Sequence, residues 1–197
     1  MAQTRDNRTI SQFKSRLLGG GARSNLFEVE LTTLPSSVTL PWQAERFSFL
    51  CKAAQMPAMT IANIDVPFRG RVFKVAGDRT IENWSITVIN DEDFLFRNAF
   101  EEWTQQIANL DDNMGSTNPS SYMVNAKVYQ LGRGSSQAST NNTGDTNVVL
   151  KEYEFVDIFP ISVGAIDLSY ENSDSIEEYP VEFAVQSYRV NGAGTAG

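Results

Sequence analysis

Apolar residues along the chain recur mostly every second position, in short runs separated by turn residues. In Asn25–Thr32, Phe27, Val29 and Leu31 alternate with Glu28 and Glu30, the pattern of a half-buried strand. Similar signals fall at Phe47–Lys52, Thr60–Phe68, Arg71–Ala76, Trp84–Ile89, Tyr122–Leu131, Val148–Val156, Ala165–Tyr170 and Tyr179–Arg189. Arg69-Gly70 sits between two of them and predicts a hairpin turn, with glycine supplying the permissive backbone. Ile158–Gly164 reads as a corner. Residues 33–45, 111–121 and the low-complexity run 132–147 read as loops.

Two segments follow the helical period instead. Thr9–Leu18 brings Ile10, Phe13 and Leu17 to one face before Gly19-Gly20-Gly21 stops it. So short a helix needs a partner surface. The longer one is expected over about 91–108, some 27 Å. Asn90 is its expected N-cap, and Asp91, Glu92 and Asp93 meet the positive end of its dipole. Phe96, Ala99, Phe100, Trp103 and Ile107 form its apolar stripe, with Arg97, Glu101, Glu102, Gln105 and Gln106 expected to face water. About eight short strands and one substantial helix predict a mainly β, antiparallel sandwich or small barrel with one flanking helix. The chain divides into a basic arm (1–24), one β domain (25–190) and a small-residue, flexible tail (191–197).

Composition narrows the chemistry. The chain of 197 residues has no histidine, which removes Ser-His-Asp triads, Cys-His dyads and histidine-ligated metals. Its one cysteine, Cys51, alternates with Phe47 and Phe49 and reads as a buried apolar thiol, suited to a reducing compartment. The basic N-terminus has no apolar stretch behind it, so no secretory signal is expected, and the three Asn-X-Ser/Thr matches carry no weight. Net charge is −8, which disfavours a broad surface that holds nucleic acid. Residues 1–24 nevertheless carry Arg5, Arg8, Lys14, Arg16 and Arg23 against Asp6 alone. That asymmetry suits either an arm docking on an acidic surface or a solvated terminus. Arg69–Arg79 is basic, while 151–182 holds nine acids against Lys151. Such opposite patches suit docking between identical copies, or are ordinary surface.

Motif matches add little. Gly192–Gly197 spells G-x-G-x-x-G with no helix behind it, so the amides that bind pyrophosphate are missing. Asp91-Glu92-Asp93 reads better as helix-start acids than as a metal cluster, and Asp111-Asp112-Asn113 lacks the rest of a calcium loop. A two-carboxylate hydrolase needs no histidine, but no spacing among Glu152, Glu154, Asp157, Glu177, Glu178 and Glu182 singles out a pair.

The run Val75-Ala76-Gly77-Asp78-Arg79-Thr80-Ile81-Glu82-Asn83-Trp84-Ser85-Ile86-Thr87-Val88-Ile89-Asn90-Asp91-Glu92 resembles the signature of the major tail tube protein family of T-even-type contractile phages. Ala22–Glu30, Phe49–Ala53 with Met56-Pro57, and Pro160 with Val163-Gly164 fall in the family's order. The resemblance spans roughly Ala22–Tyr188. It implies a β-sandwich or small barrel with a flanking helix, and six copies per ring whose strands join into one barrel around a lumen. Rings would stack inside a sheath, in the tail of a virion assembled in the host cytoplasm. Genomic DNA would pass through the lumen without specific binding. Implied partners are the chain itself, the sheath, baseplate and tube-initiator proteins, and the tail terminator. No cofactor, metal or catalytic residue is implied, nor insertion into a membrane. Loops 33–45 and 132–147 and the tail after Val190 look additional to the pattern.

Expected inter-subunit contacts are Arg69, Arg71, Lys74, Asp78 and Arg79 in the hairpin region, with Arg5, Arg8 and Phe13 in the arm. Asp78 and Arg79 fit either an ion pair at a subunit junction or an intrachain turn pair. An acidic lumen would repel phosphate. The alternatives are a tube-initiating baseplate protein, a tube subunit of a phage-derived injection machine, or a monomeric carbohydrate-binding β-sandwich.

Overall fold

The computed structural model describes residues 9–17, 21–133, 147–171 and 174–191. In chain order they form α1 (Ile10–Arg16), β1 (Phe27–Glu30), α2 (Ala44–Leu50), β2 (Cys51–Ala54), β3 (Met59–Phe68) and β4 (Arg71–Ile81). There follow β5 (Trp84–Ile89), α3 (Leu95–Ile107), a 3-10 turn at Pro119–Ser121, β6 (Val124–Arg133), β7 (Asn147–Val163) and β8 (Glu178–Asn191). Arg5, Arg8, most of the 132–147 loop and the tail beyond Asn191 fall outside the described residues.

Six strands make one antiparallel sheet in the order β1-β6-β7-β8-β5-β2. The sheet curls until its edge strands β1 and β2 approach, and α2 packs across both, so the result is a nearly closed barrel. Alternate residues point inward: on β5, Trp84, Ile86 and Val88 are buried, and on β8, Tyr179, Val181 and Phe183. Phe96, Ala99, Phe100 and Trp103 of α3 close the core, joined by Phe47 of α2. Trp84 stacks on Phe155 at 4.5 Å between ring centres and lies 5.4 Å from Phe183. All three indole N–H groups donate to backbone carbonyls: Trp42 to Leu31, Trp84 to Gln55 and Trp103 to Tyr122. Burying these rings therefore strands none of their donors.

The second sheet contains only β3 and β4. These strands leave the barrel between β2 and β5, which are themselves hydrogen-bonded neighbours. The ribbon is thus an excursion from what would otherwise be a short hairpin connection.

Several local expectations change. Phe47–Lys52 is not a strand but the end of α2 and the start of β2. Phe47 and Cys51 are buried one helical turn apart while Phe49 is 79% exposed, so period 3.6 governs. The buried thiol stands, and burial pushes it up to about 12. Asn90 does not cap α3. Its side chain donates to Glu177, and the helix starts later, after Phe94 in the left-handed region (φ 52°). Asp91 and Asp93 spend their oxygens locally and on Arg46, whose guanidinium ties α2 to this turn. Asp93 still accepts from the Leu95 N–H at the start of α3.

Arg97 does not face water. It donates to the Gly164 carbonyl, pairs with Glu101 and lies 5.1 Å over the Tyr179 ring. Glu102 accepts from the N–H and hydroxyl of Thr39 and from the Leu40 N–H, pinning the 33–43 loop to α3. The corner at 158–164 is absent because β7 runs through it. The strand bends instead at a bulge where Asp157 takes φ 56° and its N–H donates to Asn125. Residues 165–170 form no strand, and Leu168 and Tyr170 stand in solvent.

Candidate assembly surfaces

β3 and β4 pair over their whole length, from Met59 opposite Ile81 to Phe68 opposite Arg71. Arg69 (φ 45°) and Gly70 (φ 82°) close them in the two-residue turn whose twist matches paired strands. No residue of β3 is buried, and of β4 only Gly77 and Ile81 are even partly covered.

Cross-strand register sorts the side chains into two faces. Near the tip, Ile64 faces Val75, Val66 faces Phe73 and Phe68 faces Arg71. This face is apolar yet bare, with Phe68 65% and Phe73 66% exposed. The opposite face carries Asn63, Asp65 and Lys74, tied by hydrogen bonds of 2.8 and 3.0 Å. A bulge between Ile61 and Asn63, opposite Gly77 and Asp78, breaks this arrangement. Beyond it the exposed apolar residues Met59 and Ile61 occupy the other face. Gly77 eases the close approach there, since a Cβ would sit tightly, 3.0 Å from the Ala62 carbonyl oxygen. The ribbon therefore shows apolar surface on both sides, Ile64, Val66, Phe68, Phe73 and Val75 on one and Met59, Ile61 and Val72 on the other. A two-stranded hairpin bare on both faces is marginal in water, and exposed apolar surface of this extent is characteristic of contact sites.

Five of the charged residues expected at contacts, Arg69, Arg71, Lys74, Asp78 and Arg79, lie on this ribbon. Arg69 sits in the turn with its guanidinium 5.4 Å over the Phe68 ring, and Arg71 opens β4 on the apolar face. Lys74 pairs with Asp65, an exposed pair of little energetic weight. Asp78 and Arg79 are not at a turn but mid-strand. Among the described residues neither has an ion-pair partner, nor do Arg69 and Arg71. Phe13 lies apart on α1, 64% exposed, and Arg5 and Arg8 fall outside the described residues. The basic side chains were legible in the sequence. The exposure of Ile64, Val66, Phe73 and Val75 was not, although their alternation was.

Elsewhere the outer sheet face carries a polar ladder. Glu30 accepts from the Tyr129 hydroxyl at 2.6 Å, and Lys127 pairs with Glu152 at 3.1 Å. Desolvation, then the bond to Glu30, pushes the Tyr129 phenol up, and Glu152 holds the Lys127 ammonium above its ordinary value. Among the described residues no group of three acids, cysteines or histidines is placed to hold a metal. Among the described residues no helix is long and apolar enough to cross a membrane.

The comparisons agree with this geometry. Over 167 residues the chain is 32% identical to the tail tube protein gp19 of Enterobacteria phage T4, covering 85% of this chain and 90% of that one. It is 25% identical over 173 residues to the tail tube protein of Serratia phage KSP90, covering 87% and 90%. Among solved structures, one chain of the anti-feeding prophage baseplate superposes with a TM-score of 0.62 at 12% identity, covering 89% and 98%. A chain of an extracellular contractile injection system's sheath–tube complex gives 0.53 at 13% identity, covering 94% and 99%. At such identities these two speak for the fold alone. The model of the phage tail tube protein family matches residues 22–191, and the chain belongs to that family as a structural subunit of a phage tail.

Proposed function

We propose that copies of this chain close into rings, that the rings stack into the tube of a contractile tail, and that the β3–β4 ribbon is the principal contact between copies. The observation that carries this reading is a ribbon of nine cross-strand residue pairs with exposed apolar side chains on both faces. Burying one half-exposed aliphatic or aromatic side chain stabilises by about 1 kcal/mol. A ribbon's worth across every junction of a ring supplies association on the scale of an obligate interface. Arg69, Arg71, Lys74, Asp78 and Arg79 are its polar contacts, and the junction reading of Asp78 and Arg79 stands on their lack of intrachain ion pairs among the described residues.

Six copies per ring, and contacts with sheath, baseplate, tube-initiator and terminator proteins, follow from the family resemblance. The role is structural rather than catalytic. DNA passes through the lumen without being gripped, which the net charge of −8 favours. A basic potential along the lumen of a ring structure would overturn that point.

The test is assembly itself. Purified protein taken to high concentration, with and without sheath and baseplate, is followed by sedimentation and negative-stain imaging. Rings or tubes are expected. A species that stays at 21.9 kDa under all conditions sinks the reading and favours a monomeric β-sandwich binding module.

A further inference from the structure

The family match begins at residue 22, so α1 precedes everything the chain shares with the family model. It is nonetheless a formed helix. Thr9 accepts from the Gln12 N–H and Gln12 reciprocates to the Thr9 N–H, closing a capping box. Ile10, Phe13 and Leu17 share one face and are 75%, 64% and 42% exposed, and no residue of the helix is buried. Lys14 and Arg16 sit in its last turn. Seven residues do not hold a helix in water unaided.

A second bare surface has the complementary chemistry. The β7–β8 loop is clamped at its start. Arg97 holds the Gly164 carbonyl, and the Gly164 N–H donates to Pro180 at 2.7 Å. Beyond the clamp, Leu168, Tyr170 and Ile176 stand almost wholly exposed. Between residues 164 and 178 there are five acids and no cation. Glu177 is engaged by Asn90 and Glu178 by Lys52. Among the described residues Asp167, Glu171 and Asp174 have no ion-pair partner, nor do Lys14 and Arg16.

We infer that α1 of one subunit docks on the β7–β8 loop of a neighbouring copy, its Ile10, Phe13 and Leu17 against Leu168, Tyr170 and Ile176 and its cations facing Asp167, Glu171 and Asp174. The inference rests on the tube reading above. Charge favours this acceptor over the exposed β3–β4 ribbon, where Arg69, Arg71, Lys74 and Arg79 outnumber Asp65 and Asp78 and leave a net positive surface that a basic helix avoids. The acceptor belongs to a neighbour because α1 buries nothing against its own chain. The arm thus acts as a strap added to the ring or stack, beyond the shared tube fold.

Disulfide trapping tests this. Phe13→Cys protein and Tyr170→Cys protein are assembled together and oxidised; buried Cys51 does not compete. Neither substituted residue is buried, so both variants fold. Mixed tubes should give covalent dimers, and tubes of either variant alone should not. The Lys14→Glu, Arg16→Glu pair placed in the Phe13→Cys chain should lower the yield about tenfold, and Asp167→Lys with Glu171→Lys in the other should restore it. Tubes without cross-link, an unchanged yield after charge reversal, or cross-linking confined within a chain carrying both cysteines each overturn the inference. A bare tube without cross-link whose arm becomes protease-resistant only when sheath is added assigns α1 to the sheath and overturns it too. If the unsubstituted protein forms no tubes, it is the tube reading that fails.

Discussion

β5 and β3 are written in nearly the same pattern and meet opposite fates. Trp84-Ser85-Ile86-Thr87-Val88 buries every second side chain to 2% exposure or less. Ala62–Phe68 also alternates, Ile64, Val66 and Phe68 against Asn63 and Asp65, and buries none of them. The difference is what lies opposite. β5 has β8 and β2 beside it and α3 across the core, whereas β3 has only β4. Period-2 alternation specifies a strand with one apolar side, and whether that side is covered within the chain is a property of topology. The barrel is a fold completed by its own sequence. Under the proposed assembly, the ribbon is half of an interface.

The comparison breaks most sharply in the core. Phe183→Ala removes a ring packed against Trp84, Phe100 and Trp103 and should cost about 3–5 kcal/mol, read as a lower urea midpoint of the unassembled subunit. Phe73→Ser with Val66→Ser should do the reverse. Subunit stability should stay within about 0.5 kcal/mol, because neither side chain packs in the core. Assembly should weaken by about 2 kcal/mol per junction, or roughly thirtyfold in the concentration needed for tubes. A drop in subunit stability equal to the loss of assembly would show that the ribbon belongs to the barrel after all.

Gly164→Ala sharpens the picture at the barrel's rim. An added Cβ would lie 2.5 Å from the Pro180 ring, so about 1–3 kcal/mol of stability should be lost, again in the isolated subunit. Acid should act more weakly and on the barrel. Arg46 holds the Asp91 and Asp93 carboxyls below their ordinary range, and the Thr39 N–H does the same for Glu102. Groups depressed in the fold stabilise it above their unfolded values near pH 4, and that contribution is lost as pH falls through the folded values. The urea midpoint should therefore decline below about pH 4, and Arg46→Gln should flatten the decline. Smallest of all, native Cys51 should stay unlabelled by a thiol reagent at pH 8 while urea-unfolded protein labels at once, as a thiol pushed up to about 12 requires.

Long patterns were legible and short ones were not. The stripe of α3 and the alternation of β5 and β8 each run long enough to favour one period. At Phe47–Cys51 the apolar residues fit periods of 2 and 3.6 equally, and only the neighbours β1 and β2 decide for a helix. Ala165–Tyr170 carries strand-forming residues, but no strand lies beside it to pair with. The late start of α3 goes with partners remote in sequence: Asn90 donates to Glu177 instead of capping, and Arg46 binds Asp91 and Asp93 in the turn before the helix. Of the contact surfaces, the charges of Arg69–Arg79 were visible because charge needs no context. The apolar face beside them was hidden in plain alternation, and the clamp of Arg97 on Gly164 depends on a contact across 67 residues.

Because β2 and β5 are already adjacent in the sheet, the ribbon's two ends emerge side by side from a finished wall. Splicing it out and joining the stubs with a two-residue turn should leave a well-behaved solitary barrel. Lengthening it should alter how far a subunit reaches without reshaping the wall. Selection can in this way tune the spacing and grip of a tube while leaving the instructions for folding each brick untouched.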